Sequence, residues 1–113
     1  MSKDYIAITR DISSGIKTLR KDIPDVMSGF SAMAGAATKD GALSKKVKEL
    51  VALGIAISTR CIGFHTEALI KLGTTKAEFE ETLGLAVYMG GGLSLMYAGD
   101  AMMAWEQFGG PEA

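Results

Sequence analysis

Cys61 and His65 are the single cysteine and single histidine of a 113-residue chain, and they stand four positions apart in STRCIGFH, residues 58–65. On an α-helix that spacing puts two side chains on one face, with Cβ atoms about 5 to 6 Å apart. An imidazole at that range can accept a thiol proton or stabilise the thiolate as its cation, and the free N–H groups of a helix start also favour the anion. The thiolate is the form that attacks peroxides and disulfides. Glu49, beside an apolar stripe twelve positions earlier, is a third candidate. A plainer reading stands next to this chemistry: a lone cysteine often serves as a small buried hydrophobe, and a lone histidine as a satisfied core residue. Cys61, His65 and Glu49 make three ligands at most and lack a zinc-type spacing, so a metal site has little support. One cysteine closes no intrachain disulfide, and redox chemistry at Cys61 needs a second thiol from outside the chain.

The bulk properties limit what can surround these residues. With 48% hydrophobic and 22% charged residues, residues 1–113 read as one folded domain rather than a disordered chain. The first eleven residues carry Lys3, Asp4, Arg10 and Asp11 with no apolar block, unlike a secretory leader. No apolar run approaches the roughly 18 residues of a membrane helix, and a cytoplasmic protein with no membrane partner is expected. All twelve Lys and Arg lie between Lys3 and Lys76, while the remaining 37 residues carry six acids and no base; such a split suits association between copies or two differently solvated faces. Lys45, Lys46 and Lys48 form the one basic cluster, without the interleaved aromatics of a nucleic-acid surface, so no nucleic-acid partner is expected.

The elements that must position the three residues read as helices throughout. Ile8, Ile12, Ile16 and Leu19 mark one face of a first helix, from about Lys3 to Leu19. Pro24 suits the first turn of a second, which runs to about Ala37 before Gly35, Asp40 and Gly41 break the pattern. Ser44 can cap a third, whose apolar stripe is Val47, Leu50, Val51 and Ile55. The fourth holds Cys61 and His65 and closes at Gly73. Thr75 and Glu78 form a capping box for the fifth, with Phe79, Leu83, Ala86 and Val87 on its apolar face. A sixth comes after Gly90, Gly91 and Gly92, a run that lacks the strand and spacing of a nucleotide fingerprint and reads as a tight turn. Leu93, Leu95, Met96, Met102, Met103, Trp105 and Phe108 are more apolar side chains than one face of a helix hides, which points to an oligomer.

KVKELVALGIAISTRC, CIGFHTEALIKLGTTKAEFEETLGLAVYMGGG and SLMYAGDAM together resemble the carboxymuconolactone decarboxylase and alkylhydroperoxidase D-like family, most strongly over residues 44–108. The resemblance implies an all-α fold of about six helices, assembled as a trimer or hexamer. In the peroxidase-like branch a glutamate is followed twelve residues later by the first cysteine of a Cys-x-x-Cys pair, and a histidine stands beyond the second after three intervening residues. The second cysteine attacks a hydroperoxide, the first resolves it as a disulfide, and the glutamate and histidine relay protons. No cofactor is implied.

This sequence departs from that pattern. Counted from Glu49, Cys61 takes the place of the resolving cysteine; counted from His65, it takes that of the attacking one. Three residues, one of them a cysteine, are therefore absent between Glu49 and His65. The unbroken match of CIGFHTEALIKLG favours the histidine register, in which Ser58 holds the resolving position and closes no disulfide. Loss of three residues inside a helix would rotate the downstream part by about 60° and shift it by about 4.5 Å, whereas loss from a loop would leave both helices in place. Leu93 stands where relatives commonly have proline. The leading expectation is a peroxidase-like oxidoreductase that reduces a hydroperoxide through Cys61, with His65 and Glu49 as catalytic partners and an external thiol as reductant. A carboxymuconolactone decarboxylase-like lyase that uses His65 as acid or base, and a non-catalytic oligomeric protein on the same scaffold, are the alternatives.

Overall fold

A computed structural model of the chain describes residues 3–59 and 61–113, with the backbone alone described at 58 and 59. Among the described residues six helices succeed one another: α1 (Tyr5–Asp22), α2 (Pro24–Thr38), α3 (Lys45–Thr59), α4 (Ile62–Lys71), α5 (Lys76–Gly90) and α6 (Gly92–Gln107). Local signals set most of their ends. Asp4 caps α1 by accepting from the Ala7 N–H at 3.1 Å, and Pro24 occupies the first position of α2. The Ser44 hydroxyl accepts from the Val47 N–H at 3.2 Å. The reciprocal Thr75–Glu78 box is complete, at 3.1 and 3.0 Å. Gly73 and Gly91 have φ of 77° and 71°, left-handed backbone that glycine adopts without a Cβ penalty. Gly91 is the single residue between α5 and α6, so those two helices turn back on each other at once.

α3 to α6 form the core: α3 packs on α4 and α5, and α6 lies across α4 and α5. Leu53, Ile57, Leu69, Phe79, Ala101, Ala104 and Trp105 are fully buried at its centre, with the Phe79 and Trp105 rings 4.6 Å apart and tilted. The expected apolar face of α5 is borne out, since Phe79 and Leu83 are buried and Ala86 and Val87 pack against the cluster. Two expected faces are corrected. In the expected α1 stripe Ile8, Ile12 and Leu19 are exposed and Ile16 is half-buried, and it is Tyr5 and Thr9, near the start of the helix, that are buried. On α3 the expected stripe of Val47, Leu50, Val51 and Ile55 is divided: Leu50 packs against the core, Val47, Val51 and Ile55 are open, and Leu53, Ala56 and Ile57 are buried. Both stripes are apolar, but within one chain no described helix covers them.

The start of α1 is tied to the end of α6. The Gln107 amide accepts from the Tyr5 N–H and donates to the Lys3 carbonyl, both at 2.6 Å, and the Lys3 ammonium pairs with Asp100 at 2.9 Å. Burial pushes the Tyr5 phenol above its ordinary value, with the hydrogen bond and negative charge of Asp100 adding to the effect. A folded value above the unfolded one, about 10, gives a contribution that is complete below that pH and is lost as pH rises beyond it. Denaturant midpoints measured from pH 8 to 11 are therefore expected to fall more steeply for the wild type than for Tyr5→Phe. Parallel curves would show that the phenol is not coupled to folding.

Candidate functional site

Glu49 lies in the second turn of α3, and Leu53 and Ala56, four and seven positions on, are buried. That face meets α4, where His65 is flanked by buried Ile62 and Leu69, three before and four after it. The packing of the two helices brings Glu49 Oε2 to 2.9 Å from His65 Nδ1. A carboxylate can only accept, so Nδ1 donates, and the neutral imidazole then carries its lone pair on Nε2. The side chains are 12% and 27% exposed, so the pair is sheltered on the carboxylate side and reachable on the imidazole side.

Cys61 is placed differently from the helical-neighbour expectation. It is the N-cap of α4, with φ −89° and ψ 49°, and the helix proper opens at Ile62. Its backbone N–H donates to the Ala56 carbonyl at 3.3 Å, its side chain makes no capping bond, and the residue is exposed. The buried-hydrophobe alternative does not hold for this thiol. Among the described residues, no hydrogen bond joins Sγ to His65. The thiol stands at the positive end of α4, where the first-turn N–H groups have no intrahelical partners.

Glu49 and His65, sixteen positions apart in the sequence, thus meet across the packed faces of α3 and α4. The Ser58 side chain, expected at the resolving position, lies outside the described residues. Among the described residues, no three His, Cys, Asp or Glu side chains converge into a metal-ligating group.

One positioning residue escapes a reading of the sequence. A Cβ built on Gly63, two residues after Cys61, would collide with the hydroxyl of the buried Thr9, so glycine here lets the first turn of α4 press against α1. The sequence signal, a glycine inside an otherwise ordinary helix, does not say which element approaches. Gly63→Ala is expected to cost about 1 to 3 kcal/mol through overpacking, partly offset by better helix propensity. In a Thr9→Ala background the same change should become neutral or stabilising, and a double-mutant cycle by urea denaturation reads the coupling.

Six helices among the described residues, with a carboxylate–imidazole pair spanning α3 and α4 and a thiol at the head of α4, define an all-helical scaffold. The chain belongs to the carboxymuconolactone decarboxylase family, whose profile matches residues 24–104. It is similar to a carboxymuconolactone decarboxylase family protein from Legionella pneumophila, solved as an apo crystal structure: 53% identity, TM-score 0.91, covering 95% of this chain and 98% of that one. It is also 33% identical over 105 residues to an uncharacterised protein of Cupriavidus necator, spanning 90% of this chain and 93% of the relative. An uncharacterised protein of the cox locus in Paracoccus denitrificans is 29% identical over 84 residues, 72% of this chain and 76% of its own. Among the described residues, no helix is long and apolar enough to cross a membrane.

Proposed function

We propose that this protein is a peroxidase-like thiol oxidoreductase in which Cys61 is the nucleophile, His65 its proton partner and Glu49 the residue that orients the histidine. The observation that carries this reading is the 2.9 Å Glu49–His65 bond, which leaves the imidazole Nε2 free to take a proton, with an exposed thiol four residues earlier at the start of the same helix. His65 accepts the thiol proton, and the thiolate attacks the distal oxygen of a hydroperoxide. An S–O bond forms as the O–O bond breaks, and the departing alkoxide takes the proton back from the imidazolium as the alcohol. Sulfur is oxidised by two electrons to the sulfenic acid. One external thiol displaces water to give a mixed disulfide, and a second releases Cys61 and leaves as the external disulfide. A chain with one cysteine depends on that external reductant, which fits a reducing compartment such as the cytoplasm.

Treatment with an alkyl hydroperoxide and a sulfenic-acid trap, followed by mass spectrometry, tests the reading. The adduct is expected on Cys61 in the wild type and on no residue in Cys61→Ser. A Cys61 oxidised no faster than a free thiol in the same buffer would refute it. A second reading has its own support, because the Glu49–His65 pair is complete without a bond to sulfur: a carbon-acid lyase of the carboxymuconolactone decarboxylase kind, using His65 as acid or base. Lactone turnover that survives Cys61→Ser and is lost in His65→Gln would select it.

A further inference from the structure

The first turn of α4 carries Cys61 at its head, yet little in its own sequence keeps it formed. No side chain caps it, and no acidic residue stands in it. Its second residue is Gly63, and glycine is a poor helix former. Left to local forces such a turn frays, and the N–H groups aimed past its end lose their common direction.

Two residues of α1 stand behind it. Tyr5 and Thr9, one helical turn apart, are the buried residues of α1, and both face Gly63: a Cβ there would collide with the Thr9 hydroxyl and come 3.8 Å from the Tyr5 ring. From Arg10 through Ala52 no residue is buried, so the buried anchorage of α1 is confined to this start.

α6 fixes that start in place. The Gln107 amide bonds twice to it, accepting from the Tyr5 N–H and donating to the Lys3 carbonyl. Asp100, on the same helix, pairs with the Lys3 ammonium and accepts from the Tyr5 phenol. Lys3 is exposed, and a surface pair of that kind adds little; the doubly bonded amide is the firmer tie. α4 is thus gripped at two places near its head, at its second residue from α1 and at His65 from Glu49 on α3.

We infer that Tyr5 and Thr9 are positioning residues for Cys61: they brace the uncapped first turn of α4 from behind, with Gln107 holding them from α6. The role rests on the reading of Cys61 as the nucleophile. It acts through the backbone, because the first-turn N–H groups favour the thiolate only while the turn is formed.

Alkylation of Cys61 by iodoacetamide, followed from pH 6 to 10 in the full chain, tests this without a hydroperoxide. Thr9→Ala and Gln107→Leu are each expected to react about 2- to 5-fold more slowly than the wild type near pH 7, the size of a helix-terminus effect. Their profiles should be displaced to higher pH and reach the same upper plateau, a change that a general loss of stability would not produce in the folded protein. Hydrogen exchange over residues 62–67 should quicken in both, since the N–H groups of Thr66 and Glu67 bond back to the first turn. Adding Gly63→Ala to Thr9→Ala puts a strong helix former in the space that the threonine leaves, and should return both readouts toward wild type. A wild-type profile in either single variant, a displaced profile without faster exchange, or a double variant no different from Thr9→Ala would each overturn the proposal. A wild-type Cys61 that resists hydroperoxide while its alkylation still depends on Thr9 would refute the peroxidase reading and support the brace.

Discussion

Replacing His65 by Gln is expected to slow hydroperoxide oxidation of Cys61 by about 10²- to 10⁴-fold, the usual contribution of a positioned general base. Glutamine keeps a polar group against Glu49 and comparable bulk at a position that is 27% exposed, so folding should be little affected and the loss should report on proton transfer. Glu49→Gln sharpens the test. The carboxylate can only accept a hydrogen bond, and so fixes the Nδ1–H tautomer; a carboxamide can present its NH₂ to Nδ1 and stabilise the tautomer with the proton on Nε2, which is no longer a base. Glu49→Gln is therefore expected to lose rate with the thiol and the histidine both present, and to alter the dependence of rate on pH. Stopped-flow oxidation of Cys61 across pH 5 to 9 in the wild type and both variants checks this. Equal rates in all three would show that the pair across α3 and α4 does not serve the thiol, and would favour the lyase reading in which it acts on a carbon acid.

Trp105→Ala is expected to have the largest effect on stability, about 3 to 5 kcal/mol. The indole is fully buried, stacks in tilted fashion on Phe79 and donates from Nε1 to the Pro111 carbonyl at 3.1 Å. The turn after α6 folds over the ring: the Gly110 N–H donates to the Trp105 carbonyl at 2.8 Å, and a Cβ on Gly110 would collide with the indole. Removing the ring opens a cavity where α5 and α6 meet and leaves the Pro111 carbonyl without its donor. Against a total of about 5 to 15 kcal/mol for a small domain, such a loss takes away a large part of the margin, with a melting temperature lower by roughly 15 to 30 °C. Trp105→Phe should cost much less, because a ring still fills the site. Calorimetry on the two variants gives the comparison, and a Trp105→Ala loss under about 1 kcal/mol would mean that the neighbouring helices close the cavity freely.

The elements were legible because their ends are local chemistry. A proline at the first helical position, a Thr–Glu capping box, a serine hydroxyl at an N-cap and glycines with positive φ act over a few residues, and no distant contact is needed to recognise them. Cys61 and His65 stood out as candidates for a similar reason, since each is the single residue of its type and they fall close together in the chain. The exact head of α4 was not: it begins one residue after the thiol, because the chain must first leave α3, and no local signal distinguishes a cysteine in the first turn from one at the cap. Gly63 against Thr9 was hidden as well, since a close approach belongs to two helices and is written in neither alone.

By itself, then, the sequence determined that a succession of helices forms, roughly where each begins and ends, and which three residues are the candidates for chemistry, because capping, backbone freedom and side-chain reactivity are properties of single residues and near neighbours. Only the tertiary structure decided that Glu49 meets His65, that Leu53 and Trp105 go inside, and that much of the equally apolar stripes on α1, α2 and α3 stays outside. An apolar pattern states that a face should be covered, but burial is a relation between two surfaces, and which surface arrives is set by how the helices turn at their ends and how closely they can pack.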